Sequence, residues 1–591
     1  MNCDLISIRK SDERPMEGFF GRLLRIDLSS QSWAWETIPG NLIEDYLGGK
    51  GMGTLFLTQE APPRIDYSDP QNPIIFSNGC FADLPIYGSS RYGIFTKSAQ
   101  TGGYLECYAG GRTAVLLSRT GNDAIIIKGK SPNPVYLEIS HEGVLFRDGS
   151  PIWGLPTDQS LEKMLREVGE PGASALAIGP AGEAGVKFAM VINEGGRSFG
   201  RGGLGAIWGS KRLKGVVFHG TERRRPADLS ALKALYKQMR REGQGKELTR
   251  MFRTYGSPMM VGIMNTIRAF PTRYWEEGTV QGWECLTAEY LKKTCQVRST
   301  ACPHCFLACG KRTKVKRGPY KGLTISGPDY QTVAAFGGLC LIGSLEEILK
   351  VNDLCNRLGL DTVSAGNVIA FAMKASQDGR LNLNLPFGDT ARTEELLQKI
   401  VHRDGLGGIL ADGVRDASRT LGLEDLAIHV KGLELPGFDP RSLKGMGLAY
   451  ATSQRGAAHL QSLFYLDEIK REYRTEDIPE RVRALVEAED RMTLFDMLLI
   501  CKFYGNYLGW NDIIDLIEAV TGRRFREEEL RERVSKVLSL SMEFNRQEGI
   551  SVEEDTLPVK FLEKAGRNGI RLPPEELKIM VAEYHRLRGW K

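Results

Sequence analysis

The sequence predicts an α+β chain: an N-terminal β-sheet domain followed by two mainly α-helical domains. From about Gly18 to about Gly215 it is rich in glycine and in short β-type runs. From about Pro226 onward apolar residues recur at three- and four-residue intervals, the period of a helix with one buried face. Within the helical stretch, Lys431-Gly-Leu-Glu-Leu-Pro-Gly-Phe-Asp-Pro440 breaks that period with glycine and proline. These observations divide the chain into 1–218, 219–430 and 431–591.

The elements follow in order. Leu23–Leu28, Ala124–Ile127, Val135–Ile139 and Val216–Phe218 read as strands. Asp228–Tyr236, Leu345–Leu354 and Glu394–Val401 read as amphipathic helices, and the charged stretch Arg523–Arg533 as a solvated helix face. No internal repeat or low-complexity segment is visible.

At 591 residues with 42% hydrophobic content, the chain has room for several packed cores. Its 78 Lys and Arg against 73 Asp and Glu give +5, too even a balance to argue for nucleic acid or an anionic membrane as partner. The start, Met1 to Ser11, lacks a basic segment followed by a long apolar one, and no run approaches 18 uninterrupted apolar residues, so a cytoplasmic protein without a membrane span is expected. The 11 cysteines, an odd number partly in ligand spacing, fit a reducing compartment better than a disulfide framework.

The sheet region carries glycine-rich turns at Leu47–Gly53, Tyr87–Arg91, Thr101–Gly103, Gly110–Gly111, Ile178–Glu183 and Gly200–Gly205. Glycine lets backbone N–H groups approach an anion closely, so a set of such loops suits a phosphate-bearing cofactor, with Arg91 and Lys97 available to neutralise charge. None matches a P-loop or a G-x-G-x-x-G fingerprint, and each alone reads as a turn.

The strongest chemical signal is Cys302-Pro-His-Cys305-Phe-Leu-Ala-Cys309, with Cys501 as candidate fourth ligand. Three thiols this close cap one face of a small metal centre, and a fourth ligand must come from elsewhere. Iron–sulfur chemistry leads. Structural zinc also accepts four thiolates, but its sites more often pair two short Cys hairpins.

Lys97–Gly103, Ala177–Glu183, Gly200–Lys211, the Cys triplet, Gly359–Asp361, Glu434–Pro440 and Gly445–Thr452 together resemble the aldehyde ferredoxin oxidoreductase family, in the family's order from about Gly18 to about Tyr504. The resemblance implies tungsten or molybdenum held by two pterins beside one [4Fe–4S] cluster, Mg2+ bridging the pterin phosphates, a β domain as cofactor base and two helical domains closing over it. It implies Cys302, Cys305, Cys309 and Cys501 as cluster ligands. The family's two D-x-x-G-x-[D/C] pterin motifs read Asn356-Arg-Leu-Gly359-Leu360-Asp361 and Asp496-Met-Leu-Leu499-Ile500-Cys501, followed by Lys502; Asn356 and Leu499 depart from the pattern. Arg91 matches the arginine at a pterin phosphate, Tyr108-Ala109-Gly110 stands where the family has Asn-Ser-Gly, and Gly182 falls in a matching glycine turn.

By the same resemblance His459 matches the histidine near the metal, a proton donor to the substrate oxygen whose ordinary pKa near ~6.5 suits proton transfer. Gln331 stands where the family has a glutamate base, and an amide takes no proton at neutral pH. Asp329 lies two positions away. Cys340 reads as a small buried cysteine, with an extra metal thiolate as the alternative.

The function expected is oxidation of an aldehyde to a carboxylic acid, with electrons passed through the cluster to ferredoxin or a partner subunit, in a homo- or hetero-oligomer. Two alternatives stand: the catalytic subunit of a low-potential tungsten-type aryl-CoA reductase complex, and a noncatalytic iron–sulfur electron-transfer subunit. His402 follows Lys399 where the family's interface iron site has E-x-x-H, so dimerisation through that iron is not implied.

Overall fold

The computed structural model describes residues 16–470, 477–563 and 569–590; the Met1–Ser11 segment read for a leader lies outside them. The sheet region contains β1 (Arg22–Asp27), β2 (Ser32–Thr37), β3 (Ile74–Ser77), β4 (Arg91–Lys97), β5 (Tyr104–Gly110), β6 (Ala124–Lys128), β7 (Val135–Ile139), β8 (Val144–Asp148), β9 (Ser174–Ile178), β10 (Val191–Asn193), β11 (Ser198–Phe199) and β12 (Leu213–Phe218). They form two six-stranded sheets, ordered β2-β1-β6-β3-β4-β5 and β11-β10-β9-β12-β7-β8. In each sheet one neighbouring pair is parallel, β1 with β6 and β7 with β12, and the others antiparallel.

Side-chain alternation explains the layers. On β6, Ile125 and Ile127 join Leu24, Phe76, Leu137, Leu176 and Phe218 in a core between the two sheets. Ala124 and Ile126 point the other way, with Ile75, Phe95 and Tyr104, into the core shared with the helices. Because both faces are buried, the run is continuously apolar and not alternating. The outer face of the second sheet, Tyr136, Ala175, Ala177 and Val217, is covered by Leu161 and Met164 of the helix Thr157–Val168.

The expected helices form as Leu229–Gln244, Leu345–Leu358 and Thr390–His402. Asp228 caps the first through the Ser230 and Ala231 N–H groups, and Ser344 caps the second. One difference is a small antiparallel sheet inside the helical part: β13 (Cys295–Thr300), β14 (Gly310–Val315) and β15 (Thr324–Ser326). Thr313, Val315 and Ile325 point inward and Arg312 and Lys314 outward, a period-two pattern too short to stand out among longer helices. The segment 431–440 leaves helical geometry as read, yet it runs through the interior, with Leu433–Asp439 buried.

Two turns tie the helices to the sheets. The helix Leu345–Leu358 ends in left-handed Gly359, and Asp361 then caps Thr362–Gln377. The helix Ile478–Leu498 ends in left-handed Leu499, and Cys501 then starts the short turn Lys502–Asn506. Each docks by backbone hydrogen bonds: Met190 N–H to Gly359 O at 2.8 Å, Asp361 N–H to Phe188 O at 3.0 Å, and Cys501 N–H to Gly88 O at 2.9 Å. The approach demands glycine opposite. A Cβ on Gly179 would lie 2.4 Å from Leu358 O, and one on Gly49 would lie 2.1 Å from Asp496 O.

Candidate functional site

Between sheets and helices lie three adjoining cavities that share Arg91, the first residue of β4. One of about 380 Å³ is walled by Tyr108, Ala109 and Gly110 of β5, by Asn356 and Asp361 of the first turn, and by Asp329, Gln331 and His459. A second, about 220 Å³, lies between Glu106, Tyr108, Arg455, His459, Gln461 and Lys502. The third, about 110 Å³, is bounded by Cys302, Cys305, Cys309 and Cys501.

The thiol cavity is built by the β13–β14 loop. Thr300 pairs with Gly310 at its base, and His304 and Ala308 take left-handed backbone conformations that turn the chain between the cysteines. The loop is clamped to the sheet region by Gly88 N–H to His304 O at 2.9 Å and Ser90 Oγ to Pro303 O at 2.7 Å. Burial pushes the Cys501 thiol up to about 12 despite Arg91 beside it, and burial raises Cys309 despite Arg197. Thiolates here therefore need a cation of their own, which a metal centre would supply.

The 220 Å³ cavity has a charged wall that the sequence reading missed. Glu106 receives Lys50 Nζ at 3.2 Å, Gln461 Nε2 at 3.1 Å, Tyr108 OH at 2.9 Å and Tyr104 OH at 3.2 Å. Burial alone would raise its pKa, but Lys50, Lys502 and Arg455 hold it at about 2. Asp496 stands behind this wall, paired with Lys502 Nζ at 2.6 Å, and its pKa is raised by burial and by Glu106. Lys50 was visible only as part of a glycine-rich turn. Glu106 carried one legible signal, an acid in a strand that is otherwise buried.

Arg201 and Arg455 add buried positive charge. Arg201 donates Nη1 to Ala457 O at 2.7 Å and Nη2 to Glu434 O, its Nε stands 3.8 Å from Asp361 Oδ2, and the Nε of each arginine has no hydrogen-bond partner. Buried, half-satisfied guanidinium groups on cavity walls are what an anionic group would meet.

His459 opens onto both larger cavities. Burial, then Arg201, Arg455 and Lys502, lower its pKa to about 3. This corrects the expectation from its ordinary pKa: the imidazole is neutral throughout the physiological range, because burial, and secondarily the three neighbouring cations, disfavour its charged form. Beside it the Phe438 ring stacks on Tyr465 at 4.1 Å and on Tyr330 at 5.1 Å between centroids.

The other predicted residues divide. Gln331 Oε1 accepts from Gly437 N–H at 2.7 Å, which holds the 431–440 segment in place. Asp329 is exposed and caps the turn Tyr330–Val333 through Thr332 N–H at 2.8 Å. Asp361 lines the large cavity while accepting from Ser364 N–H at 3.0 Å. Gly359, Leu360, Asp496 and Ile500 stand behind the cavity walls, and Gly182 packs its carbonyl where a Cβ on Gly209 would lie 1.9 Å away. Lys97 does not serve as a free phosphate cation: it is buried and paired with Glu548, as a charge removed from water requires. Cys340 is fully buried, donates to Gly366 O at 3.3 Å and does not reach the cavities, so the reading as a small core cysteine holds.

The residues present fit a large anionic cofactor beside a metal cluster. Two cavities walled by cations meet at Arg91 and His459, and four thiols surround a space larger than one ion. Among the described residues, no three His, Cys, Asp or Glu side chains converge as around a single ion, and no helix is long and apolar enough to cross a membrane.

The family model described as "Aldehyde ferredoxin oxidoreductase, N-terminal domain" matches residues 23–220, and that for "domains 2 & 3" matches 233–591. The tungsten-containing aldehyde ferredoxin oxidoreductase of Pyrococcus horikoshii is 34% identical, with 97% of each chain covered. The aliphatic sulfonate oxidoreductase WOR-like subunit of Pyrococcus furiosus is 27% identical over 97% of this chain and 95% of its own. Among solved structures, the active site complex BamBC of benzoyl coenzyme A reductase superposes with a TM-score of 0.84 at 24% identity, covering 98% of this chain and 95% of that one.

Proposed function

Because the chain belongs to the aldehyde ferredoxin oxidoreductase family, we propose that it is a tungsten-pterin oxidoreductase that oxidises an aldehyde to a carboxylate and passes the electrons through a [4Fe–4S] cluster to an iron–sulfur acceptor. The observation that carries this reading is Arg91, common to the two cation-walled cavities and to the cavity of four thiols. When bound, the metal–pterin group supplies two-electron redox chemistry.

The chain's own residues do the rest. Arg91, Arg197, Arg201 and Arg455 would hold the anionic parts of the cofactor, and a Mg2+ ion would share in neutralising that charge. Cys302, Cys305, Cys309 and Cys501 would hold the cluster. Phe438, Tyr330 and Tyr465 give the organic group of the substrate an apolar seat and exclude water from it. Neutral His459 would donate its N–H as a hydrogen bond to the substrate oxygen and stabilise charge that develops there. Gln331 takes no proton, which supports one second reading, a low-potential reduction of the aryl-CoA type. The described cysteines are free, in keeping with a reducing cytoplasm. We take 1–218 as the cofactor base and 219–430 and 431–591 as the two helical units.

The test is metal, iron and pterin analysis of the protein from its native host, with aldehyde-dependent viologen reduction. Roughly four irons and one tungsten or molybdenum per chain are expected. His459→Ala should lower the aldehyde-dependent rate about 10²-fold at unchanged metal content. Full activity in that variant, or no viologen reduction by any aldehyde in fully loaded enzyme, makes the reductive reading the better one.

A second expectation follows from the pKa of His459. Its folded value, about 3, lies below the unfolded value of ~6.5. Between these the unfolded chain binds the extra proton, so stability falls as pH drops through that window. In urea unfolding of metal-free protein, His459→Gln should make this fall shallower.

A further inference from the structure

Between Glu289 and Asp329 the chain carries nine Lys or Arg and no Asp or Glu. The asymmetry is local: of the 78 basic residues, setting these nine aside leaves 69 against 73 acids. Lys292 and Lys293 end the helix Ala288–Thr294 and buried Lys311 donates to backbone carbonyls; the other six lie on the sheet β13–β14–β15, whose first loop holds Cys302, Cys305 and Cys309.

The register orders the charge. Arg298 lies directly opposite Arg312, and Gln296 opposite Lys314, while the alternate residues Cys295, Thr313, Val315 and Ile325 are buried. Arg298, Arg312 and Lys314 therefore share the outer face, all exposed, and exposed Lys316, Arg317 and Lys321 continue it through the β14–β15 turn. Like charges directly opposite on a sheet face destabilise it. Among the described residues none of these six has an ion-pair partner. Of the acids around this sheet, Glu194 accepts from Ser174 Oγ and Ala175 N–H, Glu247 pairs with Arg250 and Glu347 accepts from Thr390 Oγ1, while Glu346 beside Cys295 and Glu394 beside Tyr320 are the acids that face the element without an ion pair to it. Six cations against two such acids leave the face net positive, and it belongs to the element whose first loop carries Cys302, Cys305 and Cys309.

We propose that the outer face of β13–β15 is the docking surface for a separate acidic iron–sulfur protein that takes one electron at a time. The proposal rests on the aldehyde-oxidising reading. Oxidation of R–CHO with H2O gives R–COO⁻, three protons and two electrons, so two oxidised carriers are each reduced by one electron per aldehyde. A positive face around the exit steers an acidic carrier to it and orients it, an effect that salt screens.

The test uses loaded holoenzyme and two acceptors, a purified ferredoxin of net negative charge and methyl viologen. In R298E/R312E/K314E, kcat/KM for the ferredoxin should fall about tenfold or more, chiefly through KM, and lose most of its salt dependence, while the viologen rate stays within about twofold. R298Q/R312Q/K314Q should give a smaller fall of the same kind. Unchanged ferredoxin kinetics in the glutamate variant, or salt-independent ferredoxin reduction by the wild type, would overturn the docking surface. So would equal losses with both acceptors in both variants. Failure of the wild type to reduce viologen with any aldehyde sinks the underlying reading instead.

Discussion

The turns Asn356–Asp361 and Asp496–Cys501 are nearly the same object in backbone and nearly opposite in chemistry. Both follow a long helix, both reverse through one left-handed residue, and both press a helix-end carbonyl against a glycine of the sheet region. The first spends glycine on the left-handed position and turns Asn356 and Asp361 to the large cavity. The second places Leu499 there, keeps Asp496 behind the wall against Lys502, and delivers a thiol. The lesson is that the turn is a mount: its geometry survives replacement of its residues because the helix end and the opposing glycine define it, while the side chains at its ends decide what is held.

The largest expected effect comes from making the mounts alike. Cys501→Asp gives the second turn the ending of the first and removes one of four thiols, so iron content should drop and aldehyde-dependent viologen reduction should vanish. Retention of full iron and an unchanged EPR signal would show that Cys501 is no ligand. Next, Lys502→Met leaves Asp496 buried beside Glu106 without its cation, and denaturant unfolding should show a loss of about 3–5 kcal/mol. A loss below about 1 kcal/mol would mean that the pair is dispensable. The smallest effect is at Gly359, whose φ is 79° and where a Cβ would stand 2.8 Å from Gly179 N. Gly359→Ala should cost about 1–2 kcal/mol from the left-handed conformation, plus the strain of that contact. An unchanged melting temperature would refute the close approach.

Much of this was legible in the sequence. The run Ala124–Ile127 was read as a strand and is one, the three closely spaced thiols and Cys501 border one cavity, and the two motif turns could be found by pattern. What escaped has a common cause. Glu106, Lys50 and Arg455 acquire meaning only when β5, the helix Gly49–Glu60 and the segment before His459 meet, contacts far apart in sequence. Lys97 misled because an unpaired lysine and one matched to Glu548 look identical in a string of letters. His459 was found by its surroundings, but its neutrality depends first on its burial and then on Arg201, Arg455 and Lys502, which only the fold brings around it.

The shared cavity walls also bear on how the molecule matures. Residues before 202 supply one side and residues after 256 the other, so whatever fills the space joins two parts of the chain as a keystone joins two halves of an arch. Its binding free energy is added to the stability of the whole, because the unfolded chain offers no such site. Loading thereby becomes self-reporting: a chain that has received its cofactor should resist heat and protease better than one that has not, without catalysis being probed at all.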